Sequence, residues 1–426
     1  MSRLIPAPQS NIEELRLKWV LKSVGSGKRN NNNDGGNQEE VLSIGGEHIG
    51  RQGEWVLDNP RYISLDDFAS MSSGSIQEND ILLVKDGATI GKTAIADPLP
   101  FIRAAVNEHV FLLRVSDDNC PRYYFYVMQS SSVQDQIWRE VRGSAQPGLT
   151  SEFRNNVIVP KPSKKIQQEI ANYLDHETTR LDALVVAKER ILELLRERHQ
   201  ALITRAITRG IDPNVSARAS GIPWLGNIPK HWQIERARWL FDERDERSAS
   251  GDEELLTVSH LTGVTPRSEK QVYMFEAETT EGYKICLKDD LVVNTLWAWM
   301  GAMGVAPVNG IVSPSYHVYK LTTRRLYPDF VNELVRLTLF AQEVTRYSKG
   351  VWSSRLRLYP EGFFEVFIPV PPKREQEEIL SFLQEERHRL HDLETAVERA
   401  IALLRERRAA LIAAAVNGRI EVKRAA

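Results

Sequence analysis

Leucine and other apolar residues recur at every seventh position over two long stretches of the chain. In the first stretch the series is Leu174, Leu181, Lys188, Leu195 and Leu202. A seven-residue apolar repeat predicts a helix with a narrow coiled-coil seam, and the positions between are filled by strong helix formers without Pro or Gly. We therefore predict a helix of about forty residues, which is about 60 Å long at 1.5 Å per residue.

The second stretch repeats the first. Pro160 precedes one helix and Pro369 precedes the other, a spacing of 209 residues (369 − 160 = 209). The helix starts correspond as well, since Gln167 to Ile170 matches Gln376 to Ile379. At the same spacing the second seam holds Leu383, Leu390, Val397, Leu404 and Leu411. A fixed spacing of this kind indicates an internal duplication.

The two predicted helices are expected to pair with each other inside the chain. A single leucine repeat more often joins two chains, but two copies in one chain can cover each other's seams. The predicted seam has a second seven-residue series, which is Ile170, Glu177, Leu184, Ile191 and Arg198 in the first helix and Ile379, Glu386, Leu393, Ala400 and Arg407 in the second. This series places a glutamate and an arginine in the seam of each helix. A parallel pair would place the two glutamates side by side, whereas an antiparallel pair opposes each glutamate to an arginine. Because like charges in a seam are unfavourable, we predict an antiparallel coiled coil.

The segments that precede the helices follow a common plan. Asp80 to Val84 has the apolar run of a buried strand, and Asp290 to Val293 answers it in the second segment. The predicted fold class is α+β, with two mixed α/β domains separated by two long helices that form an intramolecular antiparallel coiled coil. We place a first α/β domain at residues 1–159, a helical region at 160–210, a linker at 211–231, a second α/β domain at 232–368 and a second helical region at 369–420. The side chains of the two α/β domains differ from each other more than those of the two helices do. This difference indicates two sites of one kind that recognise different targets.

Composition is that of an ordinary globular protein. The 426 residues are 42% hydrophobic and 26% charged, with a formal net charge of -2, which neither requires nor excludes nucleic acid. Cys120 and Cys286 are isolated, without disulfide or metal-ligand spacing, and this indicates a reducing compartment. Since the amino terminus is unlike a signal peptide and no apolar run reaches about 18 residues, we expect a cytoplasmic protein without membrane contact.

One turn resembles a phosphate-binding P-loop. Gly87 to Thr93 follows a predicted strand, but three residues separate its glycines where the loop needs four. The matching stretch of the second domain, Trp299 to Gly304, has no lysine. Asp58 to Tyr62 resembles the tetrad motif of amino-methyltransferases, but Arg61 replaces the second proline of that motif. An enzyme that acts on DNA through a degenerate P-loop or a methyltransferase-like site is therefore kept only as an alternative.

Two loops carry groups that hold phosphate and read base edges. Arg142 to Gly148 and Lys349 to Arg355 each join a basic residue to glycine and short hydrogen-bonding side chains, just before the last strand of a domain. A solvated loop is the alternative for each. His109 and His317 are predicted to be packed or hydrogen-bonding histidines, and we predict no catalytic residue, metal ligand or cofactor. The predicted DNA-binding residues are Lys85, Thr89, Lys92, Arg142, Ser144, Gln146, Lys349, Trp352, Ser353 and Arg355.

Together these features resemble the specificity (S) subunit of Type I restriction-modification systems, over nearly the whole chain. The motifs that carry the similarity are the two Gln-x-Glu-Ile helix starts, Gly87 to Thr93, Gly143 to Gln146, and Gly221 to Trp232. The resemblance implies two target recognition domains, each contacting one half of a split double-stranded DNA sequence. It also implies two helices that dock two methyltransferase (M) subunits, through which restriction (R) subunits join, and no active site in the chain itself.

The chain departs from the family pattern in three respects. The amino terminus offers only Ile5 to Pro8 in place of a full copy of Gly221 to Trp232, and the Asn-rich tract after Lys28 looks inserted. The second domain also lacks the lysine of the Gly-Lys turn. We therefore expect the two domains to differ in their contact residues. A coiled-coil scaffold without a DNA role is the remaining alternative.

Overall fold

The computed structural model describes residues 12–28, 41–71, 73–97, 103–143, 147–269, 279–350 and 356–420. The chain divides into two compact units. Unit 1 comprises Met1–Arg190 and Val397–Ala426, and unit 2 comprises Ile191–Ala396. Each unit therefore contains one part of each long helix.

Strands and helices are interleaved along the chain. The strands are β1 (Glu14–Arg16), β2 (Leu21–Ser26), β3 (Val41–Ile44), β4 (Arg61–Ile63), β5 (Ile81–Val84), β6 (Thr93–Ile95), β7 (Ala104–Val106), β8 (Val110–Val115), β9 (Ile158–Pro160), β10 (Ala217–Ala219), β11 (Asn227–Pro229), β12 (Gln233–Arg236), β13 (Phe241–Arg244), β14 (Leu256–Ser259), β15 (Gly263–Pro266), β16 (Lys284–Cys286), β17 (Leu291–Asn294), β18 (Met303–Val305), β19 (Gly310–Val312), β20 (Tyr316–Leu321) and β21 (Phe367–Val370). The helices are α1 (Leu65–Ser70), α2 (Pro121–Gln129), α3 (Ser131–Glu140), α4 (Lys164–Arg209), α5 (Pro328–Val335), α6 (Thr338–Arg346), α7 (Pro360–Phe363) and α8 (Lys373–Val416).

Unit 1 is built on a four-stranded antiparallel sheet in the order β2-β8-β5-β6. Successive residues of a strand point to opposite faces of its sheet. Ile81 and Leu83 of β5 join a core that includes α2, and Leu82 and Val84 join a second core shared with the sheet β4-β3-β7. Because both faces are covered, β5 is apolar at every position.

Unit 2 repeats this plan with the strand order β13-β20-β17-β18. Leu291 and Val293 of β17 face a core that includes α5 and α6, and Val292 faces the opposite core. The strands β13, β20, β17 and β18 thus take the places of β2, β8, β5 and β6. This shared order confirms the predicted correspondence of Asp80–Val84 with Asp290–Val293.

The long helices run antiparallel in unit 1. Helix α4 has 46 residues and α8 has 44. Arg405 of α8 lies 2.8 Å from Glu189 of α4. The later residue Arg408 lies 3.0 Å from the earlier residue Asp182, so the residue numbers rise along one helix as they fall along the other.

The remaining parts of α4 and α8 pair within unit 2. Arg196 Nε lies 2.7 Å from Glu394 Oε1. Leu195 and Leu202 line one cleft together with Leu390. The predicted intramolecular antiparallel coiled coil is therefore confirmed in both units.

One series of the predicted seam is correct, and the other is displaced by one residue. Leu181 is buried as predicted, but Val185 and Leu192 are buried where Leu184 and Ile191 were expected. Val185 and Leu192 are themselves seven residues apart, so the series is shifted by one residue as a whole and keeps its spacing. The contact of Thr178 Oγ1 with Tyr126 OH, 3.1 Å apart, holds this face of α4 against α2.

The displacement changes which polar residue enters the seam. Arg408 is buried, whereas the predicted Arg407 is exposed. Glu177 pairs with Arg180 of its own helix at 3.8 Å. In unit 1 the buried arginine of the seam is therefore Arg408, one residue from the predicted Arg407, and it pairs with Asp182 of the other helix.

The predicted linker at 211–231 contains structure of its own. Strands β10 and β11 pair as an antiparallel hairpin, and Leu225, Ile228 and Trp232 are buried in the core of unit 2. Among the helices in the described ranges, none combines the length and the apolar character that crossing a membrane requires.

Candidate nucleic-acid interface

A buried glutamine ties the start of each long helix to the sheet domain of its unit. Gln167 Oε1 accepts a hydrogen bond from Cys120 N at 2.8 Å, and its Nε2 donates to Pro162 O at 2.8 Å. Gln376 Oε1 accepts from Tyr327 N at 2.9 Å, and its Nε2 donates to Pro371 O at 2.8 Å. Cys120 and Tyr327 directly precede α2 and α5. The repeated Gln-x-Glu-Ile motif is therefore a structural anchor.

An aspartate at the equivalent position of each unit, bonded to an arginine, fixes the strand at the centre of the sheet. Asp80, just before β5, accepts from Arg114 at 2.7 and 2.8 Å. Asp290, just before β17, accepts from Arg244 Nε at 2.8 Å. Burial raises the pKa of Asp290, and the bonds from Leu287 N and Arg244 oppose that rise. Both strands are thus held at their first residue.

The other end of the central strand is where unit 1 brings its candidate motifs together. Leu149 N donates to Lys85 O at 2.8 Å, and Gly87 N donates to Pro147 O at 3.4 Å. Arg142 and Gly148 exchange two backbone hydrogen bonds of 2.9 Å, which close the loop between them. The P-loop-like turn and the Arg142–Gly148 loop therefore lie side by side, beyond the end of β5.

The side chains at this end of unit 1 are mostly polar. Lys85 Nζ lies over the ring of Phe111, 5.0 Å from its centroid, and 3.9 Å from Asp86 Oδ2. His109 Nδ1 lies 3.2 Å from the same carboxylate oxygen, so His109 is a hydrogen-bonding residue as predicted. Arg142 is exposed. These groups form the candidate interface of unit 1.

The turn Gly87 to Thr93 is not arranged as a phosphate cradle. Several of its N–H groups already have backbone acceptors, since Gly91 N donates to Val84 O at 3.0 Å and Lys92 N donates to Thr89 O at 3.2 Å. Lys92 Nζ donates to Ile49 O at 2.9 Å. A P-loop needs free N–H groups and a free lysine for the phosphates, so the geometry disfavours the nucleotide-hydrolysing alternative.

Unit 2 builds the same frame at the same place. Leu358 N donates to Thr295 O at 3.2 Å, as Leu149 does to Lys85 in unit 1. Lys349 and Arg357 exchange two backbone hydrogen bonds of 2.9 Å, as Arg142 and Gly148 do. The ends of the two predicted loops are therefore held in the same way. Lys349 Nζ also lies 3.2 Å from Glu361 Oε1.

Half of the predicted DNA-binding residues are placed by the structure. Lys85, Thr89, Lys92, Arg142 and Lys349 lie at or near these frames. Five others lie outside the described residues: Ser144, Gln146, Trp352, Ser353 and Arg355. All ten assignments stay predictions.

Sequence reasoning missed three apolar residues at the candidate interface of unit 2. In the turn that follows β17, Leu296, Trp297 and Met300 are 39%, 48% and 37% exposed. They occupy the place of the Gly-Ala-Thr turn of unit 1. The signal was present as a cluster of large apolar residues in a turn, where polar residues are usual.

Among the residues that the structure describes, no three or more His, Cys, Asp or Glu side chains are grouped so as to hold a metal ion.

Comparison with known proteins identifies a DNA specificity domain in the first part of the chain. Residues 13–191 match the family model described as the Type I restriction modification DNA specificity domain. The chain is 22% identical over 167 residues to the Type I restriction enzyme MjaVIII specificity subunit of Methanocaldococcus jannaschii. The alignment covers 39% of this chain and 36% of that protein, so the chain spans about a third of the length of this curated relative.

Solved structures match over almost the whole chain. A chain from a study of complex assembly and conformational transition of the type I R-M system aligns with a TM-score of 0.67 at 15% identity, covering 96% of this chain and 99% of that one. The HsdS subunit of Thermoanaerobacter tengcongensis aligns with a TM-score of 0.53 at 15% identity, covering 95% and 96%. These similarities confirm the fold class. The sequence match places a Type I restriction modification DNA specificity domain at residues 13–191, and the solved structures share the fold of nearly the whole chain.

Proposed function

We propose that this chain is a specificity subunit of a type I restriction-modification system, that it reads a bipartite DNA target with one half-site for each unit, and that it directs partner methyltransferase and restriction subunits to that target. The observation that carries the proposal is the duplicated frame. The bonds Leu149 N to Lys85 O and Leu358 N to Thr295 O hold equivalent loops at equivalent strand ends. A duplicated frame with unlike side chains is what reading two unlike half-sites requires.

We assign the DNA contacts to these strand ends. Lys85 and Arg142 in unit 1 and Lys349 in unit 2 supply positive charge for phosphate or base contacts. The predicted loop residues Gln146, Trp352, Ser353 and Arg355 belong to the same proposal. Phosphate contacts fix the position of the protein on the duplex, and contacts to base edges decide the sequence.

The long helices are proposed to dock two copies of a methyltransferase subunit, through which restriction subunits join. Exposed leucines support this, because they recur at the duplication spacing: Leu184 with Leu393, and Leu194 with Leu403. Exposed apolar residues on a helix are a common feature of protein interfaces. Two equivalent apolar faces fit two copies of one partner, and co-purification should yield two methyltransferase subunits per chain. A stable one-to-one complex with excess partner would contradict this stoichiometry.

The proposal is tested by mapping methylated bases in the host genome with and without this gene. We expect one split motif, with unread bases between its halves, to lose methylation when the gene is deleted. We place the protein in the cytoplasm together with that DNA. Methylation that is unchanged by the deletion, or a motif without a gap, would contradict the proposed function.

A further inference from the structure

The apolar turn of unit 2 is held rigidly at the candidate interface. Thr295 Oγ1 donates to Ser315 O at 2.6 Å, and Leu296 N donates to Asn294 Oδ1 at 3.2 Å. The ring of Trp297 stacks on that of Trp299, with centroids 6.4 Å apart and planes at 16°. Trp299 Nε1 in turn donates to Leu296 O at 3.0 Å. A side chain fixed in this way contacts a ligand at little entropic cost.

Three apolar side chains of this turn are exposed. Leu296, Trp297 and Met300 keep more than a third of their surface accessible. Met300 N donates to Trp297 O at 3.0 Å, so the turn is a short 3-10 helix that presents the residues within one turn of each other. Such exposure of three large apolar residues is costly in water and indicates a contact surface.

The position of the turn indicates what it contacts. The loop that starts at Lys349 is bonded to Thr295 through Leu358, so the apolar turn and a basic residue belong to one frame. In unit 1 the equivalent frame carries Lys85 and Arg142. On duplex DNA, the apolar group that a protein meets in the major groove is the C5 methyl of thymine.

We propose that Leu296, Trp297 and Met300 form a thymine-methyl contact of unit 2, so that its half-site contains an A·T pair recognised through that methyl group. This inference rests on the proposed DNA-reading function and adds the chemical group that unit 2 selects. The equivalent turn of unit 1 lacks large exposed apolar side chains, since it is formed by Gly87, Ala88 and Thr89, and its half-site is expected to be read through polar groups.

The test removes only the methyl group. Duplexes that bind the full chain, co-purified with its methyltransferase partner, are selected from a randomised library. Each thymine of the selected half-sites is then replaced by deoxyuridine. Burial of one methyl group contributes about 0.8 kcal/mol, which corresponds to about fourfold in Kd. We expect about a fourfold loss at one thymine of one half-site.

Variants connect that thymine to the turn. Trp297→Ala and Met300→Ala should abolish the difference between thymine and deoxyuridine at that position. The matched control is Trp239→Ala, because Trp239 is 66% exposed in the same unit. Trp239 lies just before β13, whose first residue Phe241 pairs with Leu321, the last residue of β20. The apolar turn instead follows Asn294 of β17, which pairs with Tyr316, the first residue of β20. The control should keep the full sensitivity.

Three results would overturn the inference. The first is that the half-site affected by Trp297→Ala contains no A·T pair. The second is that the unaltered protein binds thymine and deoxyuridine duplexes equally. The third is that both variants keep the full difference in Kd between thymine and deoxyuridine. If Trp297→Ala does not fold, as judged by circular dichroism, Met300→Ala decides, since Met300 lies at the end of the turn. Failure to select any sequence would instead contradict the proposed function itself. A loss of partner binding by the variants, with DNA selectivity intact, would assign the turn to a protein contact and overturn the DNA contact.

Discussion

At the end of the central sheet, unit 1 presents Lys85 and His109, whereas unit 2 presents Leu296, Trp297 and Met300. The bonds that hold both ends are made between backbone atoms, which nearly any residue supplies. Side chains at these ends are therefore free to vary without loss of the frame. The side chains that cannot vary are the buried anchors Gln167 and Gln376, and both units have a glutamine at this position.

The largest effect is expected at the shared anchors. Replacing Gln167 by Ala leaves the buried Cys120 N–H without its acceptor and Pro162 O without its donor. Since each unsatisfied buried group costs about 1–3 kcal/mol, we expect about 3 kcal/mol of lost stability, and a similar loss for Gln376→Ala. Urea unfolding measures both.

Gln168 is the matched control for the anchors. It is the next residue of the same helix and is exposed, so Gln168→Ala should change the unfolding free energy by less than about 0.5 kcal/mol. Equal losses at Gln167 and Gln168 would show that the repeated motif is not an anchor. A large loss at only one of Gln167 and Gln376 would show that the two units do not share it.

A smaller loss of stability is expected from the buried ion pair in the helix seam of unit 1. Arg408 is buried and pairs with Asp182, whose side chain is 35% exposed. Arg408→Ala leaves that carboxylate without its partner, and we expect a loss of about 2 kcal/mol at neutral pH, less than for a fully buried pair. Arg407→Ala, one residue away and exposed, should cost little. Equal losses in the two variants would contradict the seam assignment.

The same variant has a predicted pH dependence. Burial raises the pKa of Asp182 and Arg408 lowers it, so removing Arg408 raises that pKa further. A carboxyl group whose folded pKa lies above the unfolded value binds protons more readily when folded, and stability therefore increases as pH falls through the folded pKa. The loss caused by Arg408→Ala should shrink on acidification. A constant loss across that range would contradict the role of Asp182.

The smallest effect is expected at His199, the counterpart of Arg408 at the duplication spacing. Burial and then Arg387 lower the pKa of His199. A base whose folded pKa is lowered stabilises the fold above its unfolded pKa, and that contribution is lost as pH falls through the folded value. His199→Gln should therefore make stability less dependent on pH below about 6.5. An unchanged pH profile would exclude His199 as a titrating group of unit 2.

Periodicity and duplication could be read from the sequence because they are local properties. The matching strands, the helix pair and its antiparallel direction follow from residue spacing and charge sign. The one-residue shift of the seam could not be predicted, because it depends on tertiary contacts such as that of Thr178 Oγ1 with Tyr126 OH, 3.1 Å apart.

The candidate interface was less accessible to sequence reasoning. Lys92 was selected as a free cation in a glycine-rich turn, but its Nζ donates to Ile49 O, 43 residues away. Trp297 and Met300 do not fit the pattern of polar base-reading side chains on which the prediction rested. The sequence therefore predicts which segments form the candidate interface. Whether a given side chain is available to a ligand depends on contacts with residues that are distant in the sequence.

The central claim is that two equivalent frames read two separate half-sites. Its most direct measurement is the DNA selected from a randomised library by the unaltered subunit complex, by Arg142→Ala and by Lys349→Ala. Each variant removes a basic residue from one frame, and a good base contact carries about 1–3 kcal/mol of discrimination. We predict that Arg142→Ala relaxes one half-site and Lys349→Ala relaxes the other, each leaving the remaining half-site intact. If both variants relax the same half-site, or alter both halves alike, the two units do not read separately.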